Sequence, residues 1–317
     1  MNRRQFLFSA SATALTVHRL FGSGSRYKIG YTTNTRGADP ATTWAHDPFR
    51  GFREAHEVGF NYVEVFATFL PDFYPNDYAG LQQRIDEIGV KFAAVTGGGR
   101  GGSTHFEDPV QREAVIENHL GVVRFSKKFG CDHQKTNLGA RRPGGTTGED
   151  LKNICETVEI LGRRSLEEEG MPFGVHAHLG SQLQNRNEID YVMSHTDPKN
   201  VRFVLDTGHI TMAGMDPIAL AKQLGHRVVE FHLKDTRPED RGGTKHVPTP
   251  QRDQIKDPYF FPLGEGGVDF PALKAHLDHI QWKGFLVVEL DTSPWRPPKE
   301  SARITAKYIE QTLKIPL

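Results

Sequence analysis

The amino-acid sequence predicts a closed (β/α)8 barrel, and three observations carry that prediction. From Tyr27 onward, short β-rich runs alternate with amphipathic helical stretches, the pattern of βα units around a parallel sheet. There are eight such runs, which favours a closed barrel over an open doubly wound sheet. The 317 residues accommodate one domain of about 250 residues with a leader and long loops, so no second domain is needed.

The first strand is predicted at Tyr27–Tyr31, with a helix at Pro48–Val58 behind it. Tyr62-Val63-Glu64-Val65-Phe66 is the second strand, rich in β-branched and aromatic residues, and Gly80–Ile88 its helix. Lys91–Thr96 and Val110–Phe129 form the third unit, Cys131–Asn137 and Glu149–Glu169 the fourth. Phe173–His178 is the fifth strand. The apolar run Phe203-Val204-Leu205 marks the sixth, Val201–Asp206, followed by a helix at Pro217–Leu224. Arg227–Leu233 with Pro271–Leu277, then Phe285–Leu290 with Lys299–Leu313, complete the set. The resulting architecture is a single TIM barrel over 27–317.

Residues 1–26 stand apart. Arg3, Arg4, Phe6 and Leu7 precede a modestly apolar run from Phe8 to Val17, then small and polar residues to Ser25. The run is too short to span a bilayer, which predicts no stable membrane insertion once a leader is removed. The segment resembles a twin-arginine export signal, with Asn2 and Phe8 departing from its usual flanks. That resemblance implies a periplasmic or secreted protein.

Lys plus Arg and Asp plus Glu both number 39, so no charge excess draws the protein to nucleic acid or to an anionic membrane. The two cysteines, Cys131 and Cys155, are too few for a disulfide framework, although one bridge is compatible with the count. The longest irregular stretch, Thr236 to Gly267, reads either as a cover over a site or as a disordered insertion.

Polar residues collect at the C-terminal ends of strands five to eight, where barrel enzymes assemble their sites. His176 and His178 share a strand face, as do His232 and Lys234, and Glu289 and Asp291. Asp206 closes an apolar run and opens Asp206-Thr207-Gly208-His209. The set His176, Asp206, His232 and Glu289 suits one divalent ion such as Mn, Co, Mg or Zn, with positions left for substrate oxygens. Without a thiolate, the mixture points to a catalytic ion that polarises a carbonyl.

The ordered motifs His176-Ala177-His178-Leu179-Gly180-Ser181, Asp206-Thr207-Gly208-His209, His232-Leu233-Lys234-Asp235, Leu263-Gly264-Glu265-Gly266-Gly267-Val268-Asp269-Phe270 and Val287-Val288-Glu289 resemble the xylose isomerase-like barrels of the sugar phosphate isomerase/epimerase superfamily. Within it, the pattern is most similar to inosose dehydratase-like members. The resemblance implies metal ligands at Asp206, His232 and Glu289, with His176 where many epimerases carry Glu. That departure leaves one of the two opposed carboxylates of the epimerase scheme unassigned. Glu289, His209 and Lys234 are the candidate catalytic residues. His209 serves either as a proton carrier or as a capping or orienting group for Asp206, and Lys234 either stabilises an enolate or pairs with Asp235 or Glu265.

Glu64, His178 and Trp44 are candidate substrate contacts, with Glu64 alternatively paired to a lysine inside the barrel. Trp295 is a second candidate for stacking on a sugar, whereas Trp282 reads as packing. The expected partner is a small sugar or polyol. The expected reaction is proton abstraction next to a carbonyl through an enediolate, placed first as isomerisation or epimerisation and second as elimination by a lyase or dehydratase. A non-catalytic carbohydrate-binding barrel and a metal-dependent endonuclease acting on DNA are the remaining readings, the latter disfavoured by the even charge.

Overall fold

The computed structural model describes residues 25–97, 104–248 and 253–317, so most of the 1–26 segment that resembles an export signal lies outside the described residues. Eight parallel strands form the barrel: β1 (Tyr27–Thr32), β2 (Tyr62–Phe66), β3 (Lys91–Thr96), β4 (Gln134–Asn137), β5 (Phe173–His176), β6 (Val201–Asp206), β7 (Val228–Leu233) and β8 (Gly284–Val288). The sheet runs continuously from β3 through β2, β1, β8, β7, β6 and β5 to β4. A parallel bridge between Gly97 and Thr136 joins its two ends. A side chain at Gly97 would press on His119 Cδ2 at 3.2 Å, so glycine lets the seam approach the helix that carries His119.

The outer helices are α1 (Pro48–Val58), α2 (Tyr78–Ile88), α3 (Arg112–Lys128), α4 (Gly148–Glu169), α5 (Arg186–Ser194), α6 (Thr207–Met212), α7 (Pro217–Leu224), α8 (Phe270–His279) and α9 (Pro298–Tyr308). Local chemistry sets their ends. Asp47, Asp77, Asp216 and Asp269 cap α1, α2, α7 and α8, and Pro occupies the first turn of α1, α7 and α8. Thr147 with Asp150 and Asn185 with Glu188 form reciprocal capping boxes on α4 and α5. None of the described helices is long and apolar enough to cross a membrane.

The alternation of elements matches the sequence expectation, with differences at several boundaries, among them the fourth strand, which begins at Gln134 and not Cys131. β5 ends at His176, not His178, because the chain turns there: Ser181 N donates to His178 O at 3.0 Å. β8 stops at Val288, so Glu289 projects from the first position beyond the strand. Helices α5 and α6 fall in stretches where the sequence reading placed no helix, α6 being a single short segment capped by Asp206 itself. Both cysteines are buried free thiols, which removes the bridge that their count allowed.

Candidate active site

The barrel interior is built in layers. Ala93, Phe285 and Val287, with Tyr62 packed against them, form an apolar floor. Further along the strands stands a buried charged tier. Lys135 of β4 lies with its Nζ 2.5 Å from Glu64 Oε2 of β2 and in direct contact with Glu230 Oε1 of β7. His133 closes the tier, its Nε2 at 2.7 Å from Glu230 Oε2 and its Nδ1 at 2.8 Å from Asp132 Oδ1. Burial alone would lower His133, but the Glu230 charge and the hydrogen bonds to Asp132 and Glu230 raise it to about 9. Inside the barrel Glu64 and Glu230 therefore face Lys135 and His133, while Asp132, half exposed, also pairs with Lys28 at 2.9 Å, and the tier is balanced.

The upper tier is not balanced. His176, Asp206, His232 and Glu289, all buried, bring one donor atom each to within 4.8 Å of one another. His176 Nδ1 donates to Asn137 Oδ1 at 2.5 Å, which turns Nε2 toward Asp206 Oδ2 at 3.6 Å. Neither of those facing atoms has a hydrogen-bond partner. His232 presents Nδ1 to Glu289 Oε2 at 2.6 Å and to Asp206 Oδ2 at 3.5 Å, while its Nε2 lies 3.0 Å from Glu230 Oε1.

Lys234 Nζ lies 2.9 Å from Asp291 Oδ1, 3.2 Å from Glu289 Oε2, 3.5 Å from Asp206 Oδ2 and 2.9 Å from His209 Nε2. Its route past α6 depends on Gly208, where a Cβ would fall 2.5 Å from Lys234 Cγ. Three carboxylates, Asp206, Glu289 and Asp291, thus share one ammonium, and with His232 neutral as a ligand two negative charges would remain for a divalent cation to neutralise.

The protonation preferences of three of the four agree with that role. At His232, burial and Lys135 would lower the imidazole, but the Glu64 and Glu289 charges hold it well above the ordinary range, so an ion would have to displace its proton. Burial lowers His176 to about 4, so its imidazole is neutral and carries a free lone pair at neutral pH. Burial would raise Asp206 and Glu289, but Lys234 and the adjacent histidines hold both well below the ordinary carboxylate range. Two imidazole nitrogens and two carboxylate oxygens, two of the four without partners, fit a borderline or hard divalent ion. Asn137 and Glu230 would hold the outer nitrogens of the two histidines, as metal sites require.

Over this cluster opens a cavity of about 220 Å³ whose wall includes Asn34, Glu64, Thr96, Lys135, His178 and Gln254. Asn34 Oδ1, Thr96 Oγ1 and Gln254 Oε1 are buried oxygens without partners. Such acceptors suit the hydroxyl groups of a polyol. Gln254 belongs to the long stretch between Thr236 and Gly267, which therefore contributes to the site wall. A larger cavity of about 400 Å³, lined by Pro172, Arg202, His226 and Trp282 among others, contains none of these donors.

The sequence-predicted residues divide by position. His176, His178, His232, Glu64 and Glu289 line the cavity, with Asp206 buried beside them. Glu64 is held by Lys135, the alternative noted for it. Lys234 pairs with Asp291, Glu289 and Asp206 instead of Asp235 or Glu265, and Asp235 accepts backbone N–H bonds from Thr236, Gly264, Gly266 and Val268. His209 caps nothing with its side chain; its ring lies 3.6 Å from that of His178, centroid to centroid, away from the cavity wall.

Trp44 is a correction. It is fully buried, packed edge-on to Tyr31, with Nε1 donating to Glu54 Oε2 at 2.7 Å, because its large apolar surface is better satisfied behind β1 than at a polar rim. Trp295 stacks on Phe261 outside the cavity. Sequence reasoning missed Asn34, Lys135, Asn137, Glu230 and Gln254. Two of these had a signal: Lys135 interrupts a short strand, and Glu230 sits two residues before His232 on the same face.

Comparison with known proteins follows the same outline. A family model described as a xylose isomerase-like TIM barrel matches residues 52–312. An inosose dehydratase of Klebsiella pneumoniae is 31% identical over 259 residues, covering 76% of this chain and 84% of the relative. One from Lacticaseibacillus casei is 29% identical over 171 residues, 54% of this chain, so the match spans only 57% of that relative's length. A solved structure of the IolI protein with a bound zinc atom superposes with a TM-score of 0.66 at 17% identity, covering 92% of this chain and 99% of the other.

Proposed function

Because this chain belongs to the xylose isomerase-like TIM barrel family, we propose that it is a divalent-metal-dependent carbon–oxygen lyase that removes water from an inosose-like polyhydroxy ketone. The observation that carries the reading is the state of the second cavity carboxylate. Glu64 is tied to Lys135 at 2.5 Å, which leaves Glu289 without a free carboxylate across the site for two-faced proton exchange. The similarity to inosose dehydratases at 31% identity supports the same choice.

His176 Nε2, Asp206 Oδ2, His232 Nδ1 and Glu289 Oε2 would hold the ion, which would supply Lewis acidity at the carbonyl and so acidify the neighbouring C–H bond. Asn34, Thr96 and Gln254 accept hydrogen bonds from the substrate hydroxyls and set its orientation. His178 Nδ1 donates to Leu179 O at 2.7 Å, so its Nε2 keeps the lone pair that takes the proton. Burial and the nearby Lys234 charge lower His178, which keeps it unprotonated at neutral pH.

The C–H pair then forms the new double bond as the hydroxyl on the adjacent carbon departs, and the proton on His178 leaves with it as water. An isomerase or epimerase would return that proton to carbon, and the presence of Glu289 in the cavity wall favours this as the second reading. Incubation of metal-loaded protein with inososes and keto sugars in deuterated water separates them. Release of water with an unsaturated ketone accumulating supports the lyase; solvent deuterium at the carbon beside the carbonyl with every hydroxyl retained supports the isomerase. His178→Gln should lower kcat by about 10²-fold or more while retaining its metal.

Export through the twin-arginine route is part of the same proposal, resting on Arg3, Arg4, Phe6 and Leu7. Changing Arg3 and Arg4 to Lys should retain the protein in the cytoplasm, and normal periplasmic recovery would refute it.

A further inference from the structure

The metal-side cavity does not end at the ring-sized space over the donor cluster. Asn34, Arg36, Phe66 and Asp291 line it and also line a second hollow of about 290 Å³, completed by Ala45, His46 and Phe69. The two spaces are neighbours that share this wall. Arg36 stands at the junction, its backbone fixed by a bond from its N to Asp291 O at 2.9 Å and by pairing of Arg36–Gly37 with Thr292–Ser293.

The Arg36 guanidinium makes no ion pair or hydrogen bond among the described residues. Asp291, the acid common to both linings, has its Oδ1 on Lys234 at 2.9 Å. Arg36 is exposed, so a neutral substituent in the hollow would displace its water without replacing those hydrogen bonds, whereas an anionic one would replace them with charge-assisted ones. A guanidinium is also shaped for two-point contact with planar or tetrahedral oxyanions. The other wall is apolar: Phe66 and Phe69 meet edge-to-face at 5.5 Å, which gives the carbon frame between ring and anion a surface to lie on.

We infer that the substrate carries an anionic substituent, a carboxylate or a phosphate ester, that projects from the reacting ring into this hollow and is received by Arg36. The inference rests on the proposed reading of the cavity as a polyhydroxy-ketone site. It adds that the ring is not a bare neutral cyclitol.

Binding rather than turnover tests it. Titration calorimetry at low salt on the full protein, with myo-inositol, glucuronate and myo-inositol monophosphate as probes, should give at least tenfold tighter binding for one of the charged probes than for the neutral ring. Tighter binding of the phosphate assigns a phosphate ester; tighter binding of glucuronate assigns a sugar acid. Arg36→Gln should bring the preferred anion down to the affinity of myo-inositol while changing the neutral probe less than twofold, and Arg36→Lys should retain part of the preference. Equal affinities for charged and neutral probes, no binding of either anion, or an equal loss for all three in Arg36→Gln overturns the subsite. If the anions bind through Arg36 but no ketone carrying them loses water, the subsite stands and the lyase reading falls.

Discussion

His176 Nδ1 lies 2.5 Å from Asn137 Oδ1, so the amide at the end of β4 decides which nitrogen of the histidine ending β5 faces Asp206. Sequence distance hides this relationship, because the two residues belong to neighbouring strands whose register pairs Asn137 with His176. Asn137→Ala frees the imidazole to rotate or to change tautomer. Divalent-metal affinity should fall about 10–100-fold, measured by competition with a chromophoric chelator, with little change in folding.

Asp206 has two duties that a well-chosen substitution separates. Its Oδ1 accepts from His209 N at 2.8 Å, capping α6, while Oδ2 faces His176. Asp206→Asn keeps a capping oxygen and removes the charge, and Asp206→Ala loses both, with an added stability cost of about 1 kcal/mol. Elemental analysis should find both variants, and Glu289→Gln, largely metal-free. Full occupancy in Asp206→Asn and Glu289→Gln together would eliminate the proposed metal centre.

Lys135 is the buried cation between Glu64 and Glu230. Lys135→Met leaves two carboxylates inside the barrel without it, and the expected destabilisation is about 3–5 kcal/mol in urea unfolding. Adding Glu64→Gln and Glu230→Gln to the same chain should recover a large part of that loss. An unchanged midpoint in the single variant would show that the tier is not held by charge.

His133 sets a pH window. Its folded value is raised from 6.5 to about 9, so the stability it contributes is complete below about pH 6.5 and is lost as pH rises through about 9. Unfolding free energy measured at pH 6, 7.5 and 9.5 should decline across that interval, and His133→Gln should flatten the decline. A wild-type stability that rises between pH 7.5 and 9.5 contradicts the assignment.

Periodicity and strand-end composition made the barrel and the upper donor set legible. A strand closing on Asp206, or ending two residues before a second histidine, announces itself within six residues, because alternation along a strand is a local property. At His178 the rule reached the right residue for another reason: the strand had already ended at His176, and a turn, not the pleat, brings the ring to the cavity wall. It failed at Trp44, since whether an aromatic residue near a strand end faces the cavity or the core depends on what packs behind it, here Tyr31 and Glu54.

The sequence by itself determined the order of βα units and the four residues His176, Asp206, His232 and Glu289 as one donor set. The tertiary structure alone decided the rest. Lys135, Glu230, Glu64 and His133 became a balanced tier, Asn137 and Glu230 the partners of His176 and His232, and Glu64 a bound rather than free carboxylate. The reason is that protonation and pairing depend on separations of a few ångströms between side chains 39 to 168 residues apart in sequence, such as His176 with Asn137 and His232 with Glu64. Closure of the barrel creates those separations.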